Sequence, residues 1–209
     1  MPMLGHEMKL RWMVLVLFML CSKWQQYATG ERLVPCYFIF GDSLADNGNN
    51  NMLQTLAKVD YSPYGIDFPN GPSGRFCNGR TVVDIIAEIL GFHKYITPFA
   101  TANEADILDG VNYASGAAGI RDETGQELGG RISLNMQLKN HQKTLLNLIG
   151  MLGNESAPRH LSKCLYSVGM GNNDYLNNYF LPQYFPTSQE YTLDQYTQLL
   201  VEEYSQQLR

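Results

Sequence analysis

Tyr37-Phe38-Ile39-Phe40 is an uninterrupted apolar run. A run this short, followed by turn formers, predicts a buried strand over Cys36–Phe40. Thr81–Leu90 carries apolar residues at helical spacing, and Gly91 follows as a stop. Asp109–Ala114 predicts a short strand entering a glycine-rich turn. Ser133–Leu152 predicts a long amphipathic helix with Leu134, Leu138, Leu145 and Leu148 on its apolar side. Cys164–Val168 predicts a second buried strand. Thr192-Leu193-Asp194-Gln195 has the form of a capping box opening a final helix, whose apolar pattern runs through Leu199, Leu200, Tyr204 and Leu208. Tyr61–Asn78 reads as a Gly/Pro/aromatic loop. Strand and helix alternate, which predicts an α/β domain with a mainly parallel sheet.

The N-terminus departs from this pattern. Lys9 and Arg11 precede an apolar run from Trp12 to Cys21, too short to span a bilayer and suited to a secretory signal. Residues 1–30 are therefore expected to be a signal peptide with an approximate cleavage site, leaving 31–209 as one domain. The product is expected to be secreted, extracellular or in a cell wall, without stable membrane insertion. The net charge of −5, with no Lys/Arg cluster, argues against a nucleic-acid partner. Cys36, Cys77 and Cys164 would remain in an oxidising compartment. Three is an odd number, so at least one thiol stays free or pairs outside the chain. No Cys-x-x-Cys pair suggests a metal. Asn154-Glu155-Ser156 is a glycosylation sequon in a Gly- and Pro-bearing loop.

The strand at Cys36–Phe40 leads into Gly41-Asp42-Ser43-Leu44. A Ser just past a strand, after a Gly that lets the chain turn, sits where open α/β sheets place reactive groups. Three further blocks accompany it: Gly74-Arg75-Phe76-Cys77-Asn78-Gly79-Arg80, Gly110–Ile120, and Val168-Gly169-Met170-Gly171-Asn172-Asn173-Asp174-Tyr175. Together, and in this order, they resemble the plant GDSL-type esterase/lipases of the SGNH hydrolase superfamily, from about Pro35 to the end. The resemblance implies a flavodoxin-like three-layer αβα sandwich, incomplete at its C-terminus. It implies a serine ester hydrolase acting on lipid or other acyl esters, with no cofactor and no metal. Ser43 is then the nucleophile. The oxyanion hole takes the Ser43 N–H, a Gly N–H matched to Gly116, with Gly119 in the same turn, and the Asn173 side-chain amide. Asp46 and Asp174 are expected to order loops by accepting backbone N–H groups. Tyr61, Tyr64, Phe68, Tyr175, Tyr179 and Phe180 are candidates for a substrate pocket.

The family's base is a His from an Asp-x-x-His near the C-terminus, and no Asp-x-x-His occurs here. His6, His93, His141 and His160 all precede the Asn173 block and are expected in surface or packing roles. The chain as given is therefore expected to lack the catalytic Asp and His and to be inactive. Two alternatives stand beside the lipid-esterase reading: a polysaccharide or small-molecule acyl esterase of the same superfamily, and a truncated, non-catalytic binding or interaction protein.

Overall fold

A computed structural model describes residues 32–209. The expected signal over residues 1–30 lies outside them. Strand β1 (Tyr37–Gly41) is buried along its whole length. Its alternate side chains feed two separate cores. Cys36, Phe38 and Phe40 join Val111, Tyr113, Leu134 and Leu148 on one face. Tyr37 and Ile39 join Val83, Ala87, Phe92 and Ile96 on the other. A strand with helices on both faces must be apolar at every position, which explains the uninterrupted run. The chain is therefore an α/β protein with a layered sandwich around β1.

Helix α1 (Val82–Ile89) covers one face. It starts at a capping box in which Thr81 accepts from the Asp84 N–H and Asp84 accepts from the Thr81 N–H. Gly91, at φ 85°, follows it in the left-handed region that a side chain resists. Helix α2 (Leu134–Leu152), capped by Ser133, covers the opposite face. Its buried stripe is more polar than the leucine pattern predicts: Leu134, Gln137, Asn140, Thr144 and Leu148 point inward. Gln137 is buried because its amide bonds both the N–H and the C=O of Gly41 at the end of β1, while Thr144 satisfies its hydroxyl on Asn140 O.

Strand β2 (Leu165–Gly169) pairs with β1 in parallel, Tyr37 opposite Leu165 and Gly41 opposite Gly169. On the other side of β1, the segment 109–115 runs parallel as well. The N–H groups of Tyr37 and Ile39 donate to Asp109 and Val111, and those of Tyr113 and Ser115 donate to Ile39 and Gly41. Beyond it, the Thr97–Phe99 stretch bonds to Asn112. The expected strand at Asp109–Ala114 is thus a set of sheet bonds around Asn112, which bridges to Ile39 on one side and to Pro98 on the other. The expected burial of the second strand is not observed: Leu165 is 37% and Tyr166 43% exposed. Among the described residues β1 is the only strand beside β2, so no strand pairs with the outer edge of β2.

Short helix α3 (Ser156–Leu161) leads into β2, and helix α4 (Leu193–Gln207) closes the described chain. Thr192 and Gln195 form the expected capping box. Tyr196 and Leu200 are buried against Ile120 and Tyr179. The Tyr204 hydroxyl donates to Val168 O at 3.1 Å, and Gln207 Nε2 to Ile120 O at 2.9 Å. No helix of the described residues is long and apolar enough to cross a membrane.

The parallel register decides the cysteine pairing that composition leaves open. Cys36 precedes β1, Cys164 precedes β2, and the Leu165 N–H donates to Cys36 O at 3.0 Å. The Cα atoms are 4.7 Å apart and the sulfurs are bonded. Cys77 stays a free thiol, donating to Gly79 O at 3.2 Å. The bridge closes a sequence separation of 128, a loop long enough for a loop-closure contribution near the top of the usual range. Replacing both cysteines by serine should lower unfolding free energy by about 3–5 kcal/mol in urea denaturation. A change below about 1 kcal/mol would show that the tie adds nothing to the β1–β2 register.

Candidate active site

Ser43 stands on a tight turn at the carboxyl end of β1. Gln137 of α2 clamps the turn's base: Gly41 N–H donates to its Oε1 at 3.0 Å, and its Nε2 donates to Gly41 O at 2.9 Å. The Ala45 and Asp46 N–H groups then fold back to Asp42 O at 3.2 and 3.0 Å. Asp42 Oδ1 accepts the Leu44 N–H at 2.9 Å, and burial raises the Asp42 pKa above the usual carboxylate range. Ser43 is left half-exposed at the apex. Neither its N–H nor its Oγ has a hydrogen-bond partner among the described residues. Leu44 beside it is 68% exposed, an apolar side chain at the mouth of the turn.

The asparagine-rich stretch after Ser43 is a buried brace rather than a loose loop. Asp46 has no exposed surface, and its carboxylate joins two loops. Oδ1 accepts the Gly48 and Asn49 N–H groups at 2.8 and 2.9 Å, and Oδ2 accepts the Gly116 N–H at 2.9 Å. Burial pushes its pKa up to about 6 against the opposing effect of these bonds. Asn49 Nδ2 donates to the carbonyls of Asn112 and Ala114. Asn50 Nδ2 donates to Gly116 O at 3.0 Å, and Asn50 Oδ1 accepts from Ser115 Oγ. The loop-ordering role expected for Asp46 is what the geometry displays.

This brace bears on Gly116. Its N–H, expected to face an oxyanion, is already held by Asp46. Its glycine identity has a steric cause: a Cβ there would lie 2.5 Å from Phe76 Cζ and 2.9 Å from Asn50 Nδ2. The Gly119 N–H, three residues on, has no acceptor among the described residues. Between them Ala117 adopts φ 64°, a left-handed conformation uncommon outside glycine.

The third block follows β2 in the same way. Asn173 is buried in a short helical turn, Asn172–Asp174. Its Nδ2 donates to Ala118 O at 2.8 Å and its Oδ1 accepts from Asn177 Nδ2 at 2.8 Å. These two bonds fix the amide's orientation and leave one N–H of Nδ2 uncommitted. Asp174 orders the same turn as expected, accepting the Ile120 and Arg121 N–H groups and the Thr124 hydroxyl. Burial raises its pKa above the usual range. The Ser43, Gly116–Ile120 and Asn173 blocks thus meet at the carboxyl ends of parallel segments, linked through Asp46, Ala118 and Asp174.

The histidines lie elsewhere. His141 packs edge-on against Phe38 and Phe40, with Nδ1 3.1 Å from the Tyr113 hydroxyl. Burial lowers its pKa to about 4, so it is neutral at pH 7. His160 Nε2 lies 3.3 Å from Cys36 Sγ. His93 is exposed. Among the described residues no imidazole bonds to Ser43. His6 lies outside them.

The expected pocket aromatics divide. Tyr175 and Tyr179 pack on Tyr196 with centroids 5.9 and 5.1 Å away, forming the seam under α4. Phe180 borders that seam, tilted against Tyr175 and edge-on to Tyr179. Phe68 lies beneath the Arg75 guanidinium at 4.3 Å. Tyr64 adjoins Phe76, the aromatic on Gly116, and Tyr61 packs edge-on against Tyr64. Phe76 was not a sequence candidate; its place in the Gly74–Arg80 block was the available signal. Arg75 anchors that block through a buried bidentate pair with Asp84, at 2.7 and 3.1 Å. Asn154 is exposed just past the C-terminus of α2, whose N-terminus meets the site. Nineteen helical residues separate it from the Ser43 edge by about 27 Å.

A half-exposed Ser on a strand-end turn, with an oriented amide in the neighbouring loop, defines a candidate serine-hydrolase site on an α/β sheet. The sequence profile of the GDSL-like Lipase/Acylhydrolase family matches residues 37–203, and the chain belongs to that family. Among similar proteins are two GDSL esterase/lipases of Arabidopsis thaliana, each 53% identical, over 198 and 197 residues. These alignments cover 94% of this chain and 55% of each relative. A third, from the same plant, is 56% identical over 179 residues, covering 85% of this chain and 49% of the relative. The chain therefore spans about half the length of the curated relatives it matches. No solved structure is significantly similar to it.

Proposed function

We propose that this chain carries the nucleophile and oxyanion side of a secreted carboxylic-ester hydrolase that acts on lipid or other acyl esters. Ser43 Oγ attacks the ester carbonyl. The tetrahedral oxyanion is held by the Ser43 N–H, a second-block glycine N–H and the uncommitted N–H of Asn173. For the glycine, the reading favours Gly119 over Gly116, because the Gly116 N–H is held by Asp46 while that of Gly119 has no acceptor among the described residues. The single observation that carries the proposal is the Asn173 amide: it is buried, oriented by two hydrogen bonds, and has one donor left over. Donors fixed before the reaction stabilise developing charge without reorganising. Secretion rests on the Lys9/Arg11 flank and the apolar run after it. A glycan at Asn154 would sit on exposed chain away from the site.

The test uses this chain extended with the C-terminal part of a curated Arabidopsis relative. Asn173→Ala should lower kcat on a short p-nitrophenyl ester by ~100-fold or more, with KM little changed, as expected for a transition-state donor. Unchanged kcat in a folded variant would remove Asn173 from the oxyanion hole. A second reading, a non-catalytic binding role for the chain by itself, is favoured by one observation: no described imidazole reaches Ser43. Ser43-dependent turnover by the extended chain supports the hydrolase reading, and its absence in a folded extended chain supports the binding role.

A further inference from the structure

We infer that Cys36, His160 and Cys164 form a binding site for a thiophilic metal ion such as Zn(II) when the Cys36–Cys164 disulfide is reduced. The two sulfurs and the imidazole nitrogen all lie within 4.8 Å of one another. His160 Nε2 is 3.3 Å from Cys36 Sγ, so the third donor atom already faces the bridge. Tetrahedral zinc with Zn–S bonds of about 2.3 Å holds two sulfurs about 3.8 Å apart, so only a small opening of the pair is required.

The backbone builds this cluster from two directions. His160 and Cys164 are four residues apart across the end of α3, with Cys164 Sγ 3.3 Å from His160 O. Cys36 is delivered by the β1–β2 register, through the Leu165 N–H to Cys36 O bond. Cys36 is fully buried, while His160 and Cys164 are half-buried. An ion therefore enters from the side of the latter two, and its fourth position stays open to water. Two thiolates and an imidazole form a soft set suited to Zn(II).

Oxidation state gates the site. In the disulfide neither sulfur is a thiolate, and thiolates are what bind the metal. A dithiol reductant transfers two electrons and two protons, forming its own cyclic disulfide and leaving Cys36 and Cys164 as thiols. Metal binding then displaces those two protons. The ion takes over the tie between the starts of β1 and β2. That position is at the opposite end of the strands from Ser43, so the inference stands apart from the esterase reading.

The 209-residue chain should be reduced with a phosphine, freed of excess reductant under nitrogen, and titrated with Co(II). One ion per chain should bind, with thiolate-to-cobalt charge-transfer bands and the visible bands of tetrahedral cobalt, and Zn(II) should displace it. The unreduced chain should show neither. Cys77→Ser should leave the spectrum unchanged, and Cys164→Ser should abolish the charge-transfer bands. His160→Gln should weaken binding by at least the ~10–100-fold that losing even an outer-sphere partner costs. No uptake by the reduced chain overturns the inference, as does uptake indifferent to Cys164→Ser. His160→Gln keeps both cysteines and can be shown to fold in its oxidised form. Unchanged cobalt affinity in that variant overturns the inference even if Cys164→Ser misfolds.

Discussion

The purified 209-residue chain should hydrolyse a short p-nitrophenyl ester about a million-fold more slowly than the same chain extended with a relative's C-terminal part. A serine hydroxyl is a weak nucleophile until a base takes its proton. Ser43 Oγ has no such partner among the described residues. The nearest candidate in character, His141, is committed to Tyr113 inside an aromatic cage, and its pKa of about 4 makes it a poor proton acceptor at pH 7. His160 is committed to the Cys36 side of the sheet, at the far end of β1. The oxyanion donors by themselves leave a residual rate of ~1000-fold or more over water, so the expected outcome is a small rate rather than zero. In the extended chain, Ser43→Ala should return the rate to that residue. Full turnover by the 209-residue chain, lost on Ser43→Ala, would show that a base exists within it and would refute this account. Turnover insensitive to Ser43→Ala in the extended chain would refute the nucleophile itself.

Local features of the fold were legible because their causes are local. Thr81 and Asp84 mark the start of α1 by side-chain bonds to backbone three residues away, and Gly91 marks its end by a positive φ. β1 was legible because burial on both faces leaves no polar position in it. What escaped the sequence depends on register between distant segments. Cys36 and Cys164 are partners because β1 and β2 run parallel in one particular alignment, and nothing within either strand specifies that alignment. Phe76 meets Gly116 because the Arg75–Asp84 pair pins its loop, a contact invisible in the spacing of either block. β2 looked buried from its composition, and its exposure follows from which neighbours it has. The site blocks were legible as blocks, and their meeting follows from parallel strands ending at one edge. Which glycine N–H is free was not legible, because it depends on where Asp46 spends its second oxygen.

Asp46→Asn should destabilise the chain by about 2–4 kcal/mol at pH 7 and detach the Gly116 turn from the Ser43 turn. The carboxylate accepts three backbone N–H groups, two on one oxygen and one on the other. An amide keeps one acceptor oxygen, and its NH2 must then face an N–H donor across 2.9 Å at either Gly116 or the Gly48–Asn49 side. A buried donor without an acceptor costs ~1–3 kcal/mol, and donor facing donor adds repulsion. Acidity gives the test a signature that simple loss of packing lacks. The folded pKa of Asp46 is raised from 3.8 to about 6, so the folded state binds the proton more tightly than the unfolded one. Its penalty is therefore fully present above about pH 6 and is relieved as pH falls toward 4. Two units correspond to about 3 kcal/mol, and Asn has no such dependence. The stability difference between wild type and Asp46→Asn, from urea denaturation at several pH values, should therefore widen between pH 6 and 4. Comparing the two proteins cancels the raised pKa values of Asp42 and Asp174, which both retain. In the extended chain the same substitution should lower kcat ~100-fold, since loosening the second-block turn by about 1 Å misplaces the glycine donor relative to Ser43. A pH-independent difference would show that Asp46 is not the titrating brace. Undiminished kcat would show that the Gly116–Ile120 turn holds its place without it.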